Sequence, residues 1–287
     1  MFDDIIVAKH NKREKNMKTR IFAYTDEHLH TTRYVDDHPV FKDYNLHKHN
    51  GYEILFLIKG EMYQLIEGTR YEMTPLDLIL VRNDEFHQLF LEDKEYDRIV
   101  IQISKEFFAK YECEELARIF EERKAGTGNL IRKEQIMESG LYDCITRLQS
   151  YILAKPQHKA LINGVLAELL YMLNGTNIKD DAKESRIREI IDFINNSYTK
   201  DITLEKIADK FFISKEHLCR KFKKETGFTI NRYITDKRIL KTISLYKEGK
   251  TLSEACIEAG FPSYSAFYKA YTKDTGISPL KGILKKP

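Results

Sequence analysis

The sequence predicts an α+β chain, with an N-terminal β-barrel and appended helices followed by an all-α domain. That second domain holds two helix-turn-helix motifs joined by a linking helix. Three observations carry this prediction. Short apolar runs bounded by glycine turns fill residues 21–103, and helical spacing takes over beyond Ser104. From Thr203 onward, one pattern of capped helix, turn and second helix occurs twice, with a period of about fifty residues.

The chain has 287 residues, 42% of them hydrophobic and 32% charged, which fits a globular protein with room for two domains. Residues 1–20 are rich in Lys and Arg with no apolar segment behind them. A flexible basic tail is expected there, with no signal peptide and no membrane anchor, in a cytoplasmic protein. Cys113, Cys144, Cys219 and Cys256 lack CxxC spacing and sit in helical patterns as small apolar residues, as suits a reducing compartment.

Charge is divided unevenly. From Ser185 onward there are 21 basic and 12 acidic residues, a net of +9, against 26 basic and 32 acidic in the remainder, a net of −6. A basic module joined to an acidic one points to phosphate binding by the first, with salt-sensitive affinity.

Within the barrel, runs at 54–58, 62–66, 78–81 and 99–103 read as strands, with turns at Lys59-Gly60-Glu61 and Glu67-Gly68-Thr69. Even spacing of short strands favours a small barrel or sandwich. Among them lies His47-Lys48-His49-Asn50-Gly51-Tyr52-Glu53, and His87 follows Pro75-Leu76-Asp77. On an extended strand His47, His49 and Glu53 share parity and therefore one face. With His87 from another strand they make a donor set suited to a divalent transition metal. The two segments resemble the first and second motifs of the cupin barrels, except that Leu76 stands where a glycine is expected. Cupin motifs also serve metal-dependent enzymes, so a metal-dependent cupin enzyme or a metal-sensing regulator is the alternative function. No further grouping of acid, base and nucleophile accompanies the four residues.

Residues 104–174 read as helical. Leu141, Ile145, Leu148 and Ile152 form a narrow a/d seam, and a second helix from Pro156 carries Leu161, Ile162, Val165, Leu166, Leu169, Leu170 and Leu173. These helices either cover the barrel or join two copies of the chain. The polar stretch 175–184 reads as a linker, and Ser185 as the cap of the helix that opens the last domain, 185–287.

The first helix-turn-helix spans 204–225. Thr203 and Ser214 stand as N-caps, and Leu218 and Phe222 face inward, leaving Glu216, Cys219, Arg220 and Lys223 outward. The linking helix spans 230–247, and eighteen residues at the α-helical rise make a rod of roughly 27 Å. With its flanking turns it can set two recognition helices about 34 Å apart, one turn of DNA. The second unit spans 252–275, with a Thr251–Glu254 capping box, a Gly260-Phe261-Pro262 turn, and Phe267 and Tyr271 buried. Glycines 227 and 276 supply left-handed C-caps.

Residues 185–284 resemble the DNA-binding domain of the AraC/XylS family of transcription regulators. The match lies in Ala208, Ser214, Leu218, Arg220, Phe222, Lys223, Gly227, Tyr233 and Arg238, then Gly260, Phe261, Ser265, Phe267, Gly276, Ser278 and Pro279. Lys269, Thr272 and Ile283 depart from it, leaving the second helix fewer strong contacts. The resemblance implies sequence-specific binding of double-stranded DNA. On the outward faces Arg220, Glu216, Cys219, Tyr264, Ser265 and Lys269 are the candidates for bases and Lys215, Lys223, Lys224 and Arg238 for phosphates, with packing of the module as the other reading of Lys223, Lys224 and Arg238. It also implies a small-molecule effector in the barrel, a carbohydrate among the candidates, as well as a homodimer and contact with RNA polymerase. At His47, His49, Glu53 and His87 three readings stand: an effector pocket without metal, a divalent metal site, or polar residues that only hydrogen-bond within the sheet.

Overall fold

The computed structural model describes residues 18–36, 47–49, 51–83, 85–91, 95–178 and 186–284. Ser185 and most of the expected linker lie outside them. Nine strands are described: β1 (Lys18–Thr25), β2 (Leu29–Asp36), β3 (Tyr52–Lys59), β4 (Met62–Ile66), β5 (Thr69–Met73), β6 (Leu78–Val81), β7 (His87–Leu91), β8 (Tyr96–Ile103) and β9 (Leu130–Ile131). They form a six-stranded sheet of order β1-β2-β8-β3-β6-β9 and a three-stranded sheet of order β5-β4-β7.

Two expectations are corrected here. Lys18, Thr19 and Arg20, expected in the tail, instead pair with Asp36, Val35 and Tyr34 of β2, and the rest of the expected tail lies outside the described residues. Residues 104–174 are not wholly helical, because β9 adds two residues to the large sheet opposite Leu78 and Ile79. Leu76, at the place where a glycine is expected, holds φ +74°, the left-handed setting that glycine takes freely and a branched residue takes only under local constraint. The constraint is visible: Leu76 N–H donates to Leu57 O at 2.7 Å, and Asp77 N–H to Thr74 O at 3.0 Å.

Outside the large sheet lie α1 (Lys105–Lys110), a 3₁₀ turn (Glu114–Ala117), α2 (Arg118–Glu121), α3 (Lys133–Glu138), α4 (Leu141–Leu153) and α5 (Lys159–Asn174). The seam of α4 is fully buried in one cluster with Ile54, Phe56, Leu80 and Ile101 of the sheet and with Ile162, Leu166, Leu169 and Leu173 of α5. Burying such aliphatic side chains contributes about 1.5–3 kcal/mol each, so this seam is committed to covering the barrel. It is not a surface for a second copy of the chain.

The C-terminal domain comprises α6 (Arg186–Asn195), α7 (Leu204–Lys210), α8 (Lys215–Thr226), α9 (Ile230–Lys247), α10 (Leu252–Glu258), α11 (Tyr264–Thr275) and α12 (Pro279–Leu284). Local chemistry fixes the ends. Thr203 Oγ1 accepts from Lys206 N–H and Ser214 Oγ from His217 N–H; Thr251 and Glu254 form a reciprocal capping box. Ser263 caps α11, and Gly227 (φ +77°) and Gly276 (φ +74°) close α8 and α11.

The helix α9 is buried on more than one side. Tyr233, Ile234 and Leu240 join the core of the first unit, while Ile239 and Ile243 join that of the second. Arg232 on α9 reaches Asp236 at 3.3 Å and Asp274 of α11 at 3.6 Å, tying rod to second unit. Burial and the nearby Asp274 push the Asp236 carboxyl up to about 7, with Arg232 opposing them. Between about pH 4 and 7 the folded chain therefore holds a proton that the unfolded chain has released, and stability falls as pH rises through that window. The prediction is that Asp236→Asn gains on the wild type as pH rises from 5 to 8, by about 1–3 kcal/mol at the upper end. Thermal unfolding of both proteins across this range checks it, and a difference independent of pH contradicts it.

Candidate functional site: a polar pocket and two exposed recognition helices

The barrel pocket is built from alternate residues of five strands. His30, Thr32 and Tyr34 come from β2, Glu53 and Leu55 from β3, Gln64 from β4, His87 and Leu89 from β7, and Arg98, Val100 and Gln102 from β8. Period-two alternation sends each of these side chains inward between the two sheets. With His47 and His49 they line a cavity of about 210 Å³.

Three imidazoles meet at its wall. Their ring centroids lie 4.9 Å apart for His47 and His49, 4.2 Å for His47 and His87, and 4.9 Å for His49 and His87. The backbone pins two of them, since His47 N–H donates to His87 O at 3.1 Å and His87 N–H to His47 O at 2.9 Å. His87 Nδ1 sits 3.0 Å from Glu85 O, which leaves Nε2 toward Glu53.

Glu53 lies 2.9 Å from His49 Nε2 and 3.8 Å from His87 Nε2, and Gln102 Nε2 donates to it at 3.2 Å. Burial pushes its carboxyl up, but the imidazoles of His49, His87 and His47 together hold it well below the usual carboxylate range. One ligand atom from each histidine falls within 4.8 Å of the others, so the donor set fits a divalent transition metal as well as an oxygen-rich organic molecule. His30, Tyr34, Gln64, Arg98 and Gln102 escaped the sequence reading. The signal available for them was their even parity along each strand: His30 and Tyr34 in β2, and Arg98 and Gln102 in β8, lie four residues apart and so on one face.

On α8, Glu216, Arg220 and Lys223 are exposed and Cys219 half-buried, while Leu218 and Phe222 are buried. His217 is exposed beside them, with Nδ1 3.5 Å from the Arg220 guanidinium, and belongs to the same face although its sequence gave no sign of it. Lys215 is exposed and pairs with Glu205 at 2.8 Å, bracing α7 against α8. Lys224 is exposed at the C-terminal end of α8.

Of the two readings of Arg238, phosphate contact or packing of the module, its contacts favour packing: its guanidinium donates to Tyr198 O at 2.7 Å and to Lys200 O at 2.9 Å. On α11, Ser265 and Lys269 are exposed, whereas Tyr264 is half-buried against Phe267. Tyr268, 41% exposed, stands beside them and was not anticipated. Among the described residues no helix is long and apolar enough to cross a membrane.

A family model described as an AraC-like ligand binding domain matches residues 29–170, and one described as a helix-turn-helix domain matches 207–281. The chain is 23% identical over 248 residues to the uncharacterized HTH-type transcriptional regulator YbfI of Bacillus subtilis, covering 84% of this chain and 86% of that one. It is 23% identical over 253 residues to the transcriptional activator RhaS of Yersinia pestis, covering 81% and 86%. To the lactose operon transcription activator of Staphylococcus xylosus it is 30% identical over 140 residues, covering 47% and 50%. Among solved structures, ToxT from Vibrio cholerae aligns over 90% of this chain and 98% of its own at 16% identity, with a TM-score of 0.38. With a ligand-binding match over the barrel and its helices and a helix-turn-helix match beyond, the chain belongs to the AraC family of transcription regulators.

Proposed function

We propose that this regulator reads DNA through α8 and α11 and takes its effector in the barrel pocket. The observation that carries the proposal is the joining, in one chain, of a barrel cavity lined by histidines, Glu53 and Arg98 to two capped helices with exposed faces. Arg220 is assigned to a base, since a guanidinium pairs bidentately with guanine in the major groove. Glu216 and Cys219 flank it on α8, Ser265 and Lys269 take the corresponding part on α11 with Tyr264 at the edge of that surface, and Lys215, Lys223 and Lys224 position the protein on phosphates.

The pocket favours a small effector. Its volume of about 210 Å³ is below the usual span of about 300–1,000 Å³ for drug-sized ligands, and its polar groups match hydroxyls or a carboxylate, as a monosaccharide or short acid would offer. Effector binding shifts the population between arrangements of the two domains and thereby changes DNA affinity. The chain acts in the cytoplasm as a homodimer that contacts RNA polymerase. With the α4 seam buried, a second copy would meet the outward faces of α4 and α5, where Leu153, Leu161 and Tyr171 are exposed.

A second reading of the pocket rests on the histidine cluster: His47, His49 and His87 with Glu53 hold a divalent metal that senses or helps bind the effector. The relatives compared are regulators, and no catalytic role is assigned to the cluster.

Arg220→Ala is predicted to cost roughly 1–3 kcal/mol on the selected DNA site and to relax the preference at one base. Binding to selected and random duplexes checks this, and equal losses on both count against the assignment. For the pocket, calorimetry of the full chain against a panel of monosaccharides and short carboxylic acids is expected to find a ligand whose binding is lost in Glu53→Gln and Arg98→Ala. About one zinc, manganese or nickel ion per chain, lost in His87→Ala, would establish the metal reading instead.

A further inference from the structure

The turn between β4 and β5 carries a carboxylate out of the barrel and into the other domain. Glu67 lies there at φ +45° and is 7% exposed. Its oxygens accept from four donors on three segments: Phe86 N–H at 2.8 Å, Asn195 Nδ2 at 2.6 Å, Tyr233 OH at 3.4 Å and Lys237 Nζ at 3.1 Å. Lys237, on α9, is 3% exposed, and its ammonium sits 3.6 Å from the centre of the Phe86 ring. The rings of Tyr233 and Tyr198 stand at 5.3 and 5.9 Å. A buried ammonium tolerates such surroundings while its carboxylate is in place, and loses the larger part of its compensation when it is removed.

Apolar contacts close around this pair. Leu65 and Phe90 of the small sheet, with Phe86 just ahead of β7, share one core with Ile187, Ile190, Ile191 and Ile194 of α6 and with Tyr233 of α9. The fit is tight at Gly68, where an added Cβ would fall 1.8 Å from Ile191 Cδ1. The pocket is one residue away. Glu67 N–H donates to Phe86 O at 2.8 Å, Ile66 pairs with His87, and Phe86 immediately precedes His87. By strand alternation, one residue meets the cavity and its neighbour meets Lys237.

We propose that the Glu67–Lys237 pair is an interdomain latch that holds α9 and the first recognition unit against the barrel in the arrangement of lower DNA affinity, and that an effector touching His87 loosens it through Phe86. The proposal rests on the reading of the barrel as an effector sensor. Lower affinity is assigned to the latched arrangement because Lys224, one of the phosphate candidates, lines a cleft shared with Gly68, Arg70, Tyr71, Glu72 and Arg132 of the barrel, so that the barrel stands beside a surface that must approach phosphate. A latch on α9 acts on both recognition units, because that helix lies in both of their cores.

The test uses the full chain, a DNA fragment selected by the wild type from a random pool, and no added small molecule. Glu67→Gln and Lys237→Met are each expected to bind that fragment about tenfold more tightly than the wild type. Amides near Tyr233 should exchange faster with solvent, and the double variant should bind like either single one, since both substitutions break the same pair. If one variant fails to fold, the other carries the comparison. Unchanged or weaker DNA binding, or an additive gain in the double variant, would overturn the latch while leaving the regulator reading intact. A wild type that selects no sequence would overturn that reading and the latch with it.

Discussion

The architecture depends on the burial of α9 from several sides at once. A helix with a single wet face can tilt or slide at small cost, whereas one enclosed by two cores is fixed in rotation and in axial position. Here Tyr233, Ile234 and Leu240 serve one core, Ile239 and Ile243 another, and Lys237 meets the barrel. The spacing of the two recognition helices follows from that fixation. So does their sensitivity to the barrel, since no movement of the small sheet against α9 leaves both units undisturbed.

The pocket and the recognition helices rely on different physics. Polar side chains from five strands, set among Leu55, Leu89 and Val100, line a small cavity between the two sheets, where charge–dipole interactions are stronger than in bulk water. The recognition helices instead keep their functional groups in solvent and use burial only to orient them. Leu218 and Phe222 under α8, and Phe267 and Tyr271 under α11, are the anchors that point Arg220 and Lys269 outward. In the proposed function, phosphate contact there would be long-range and weakened by salt, and effector recognition in the pocket short-range and protected from it.

Much of the C-terminal domain was legible because its signals are local. A hydroxyl at the N-cap, a glycine at the C-cap and apolar residues three or four apart lie within one turn of the elements they define, as Thr203, Ser214, Gly227 and Gly276 show. The shared parity of His47, His49 and Glu53 was local as well. The sequence left Arg238 between phosphate and packing, because a guanidinium in a basic helix looks the same whether it meets phosphate or the carbonyls of Tyr198 and Lys200. The pairing of Glu67 with Lys237 was not legible, because they lie 170 residues apart with no local signal linking them. The two-residue β9 is too short to carry a period, and the commitment of the α4 seam to the barrel is decided by packing that periodicity does not specify.

The central claim is that α9 holds two recognition helices at a fixed separation along one face of a duplex. It is tested most directly by measuring the affinity of the full chain for its selected DNA before and after five base pairs are inserted between the two contacted segments. Half a turn places the second segment on the opposite face, and the account predicts that binding falls to the level of a fragment holding one segment alone. Undiminished affinity after the insertion would contradict it.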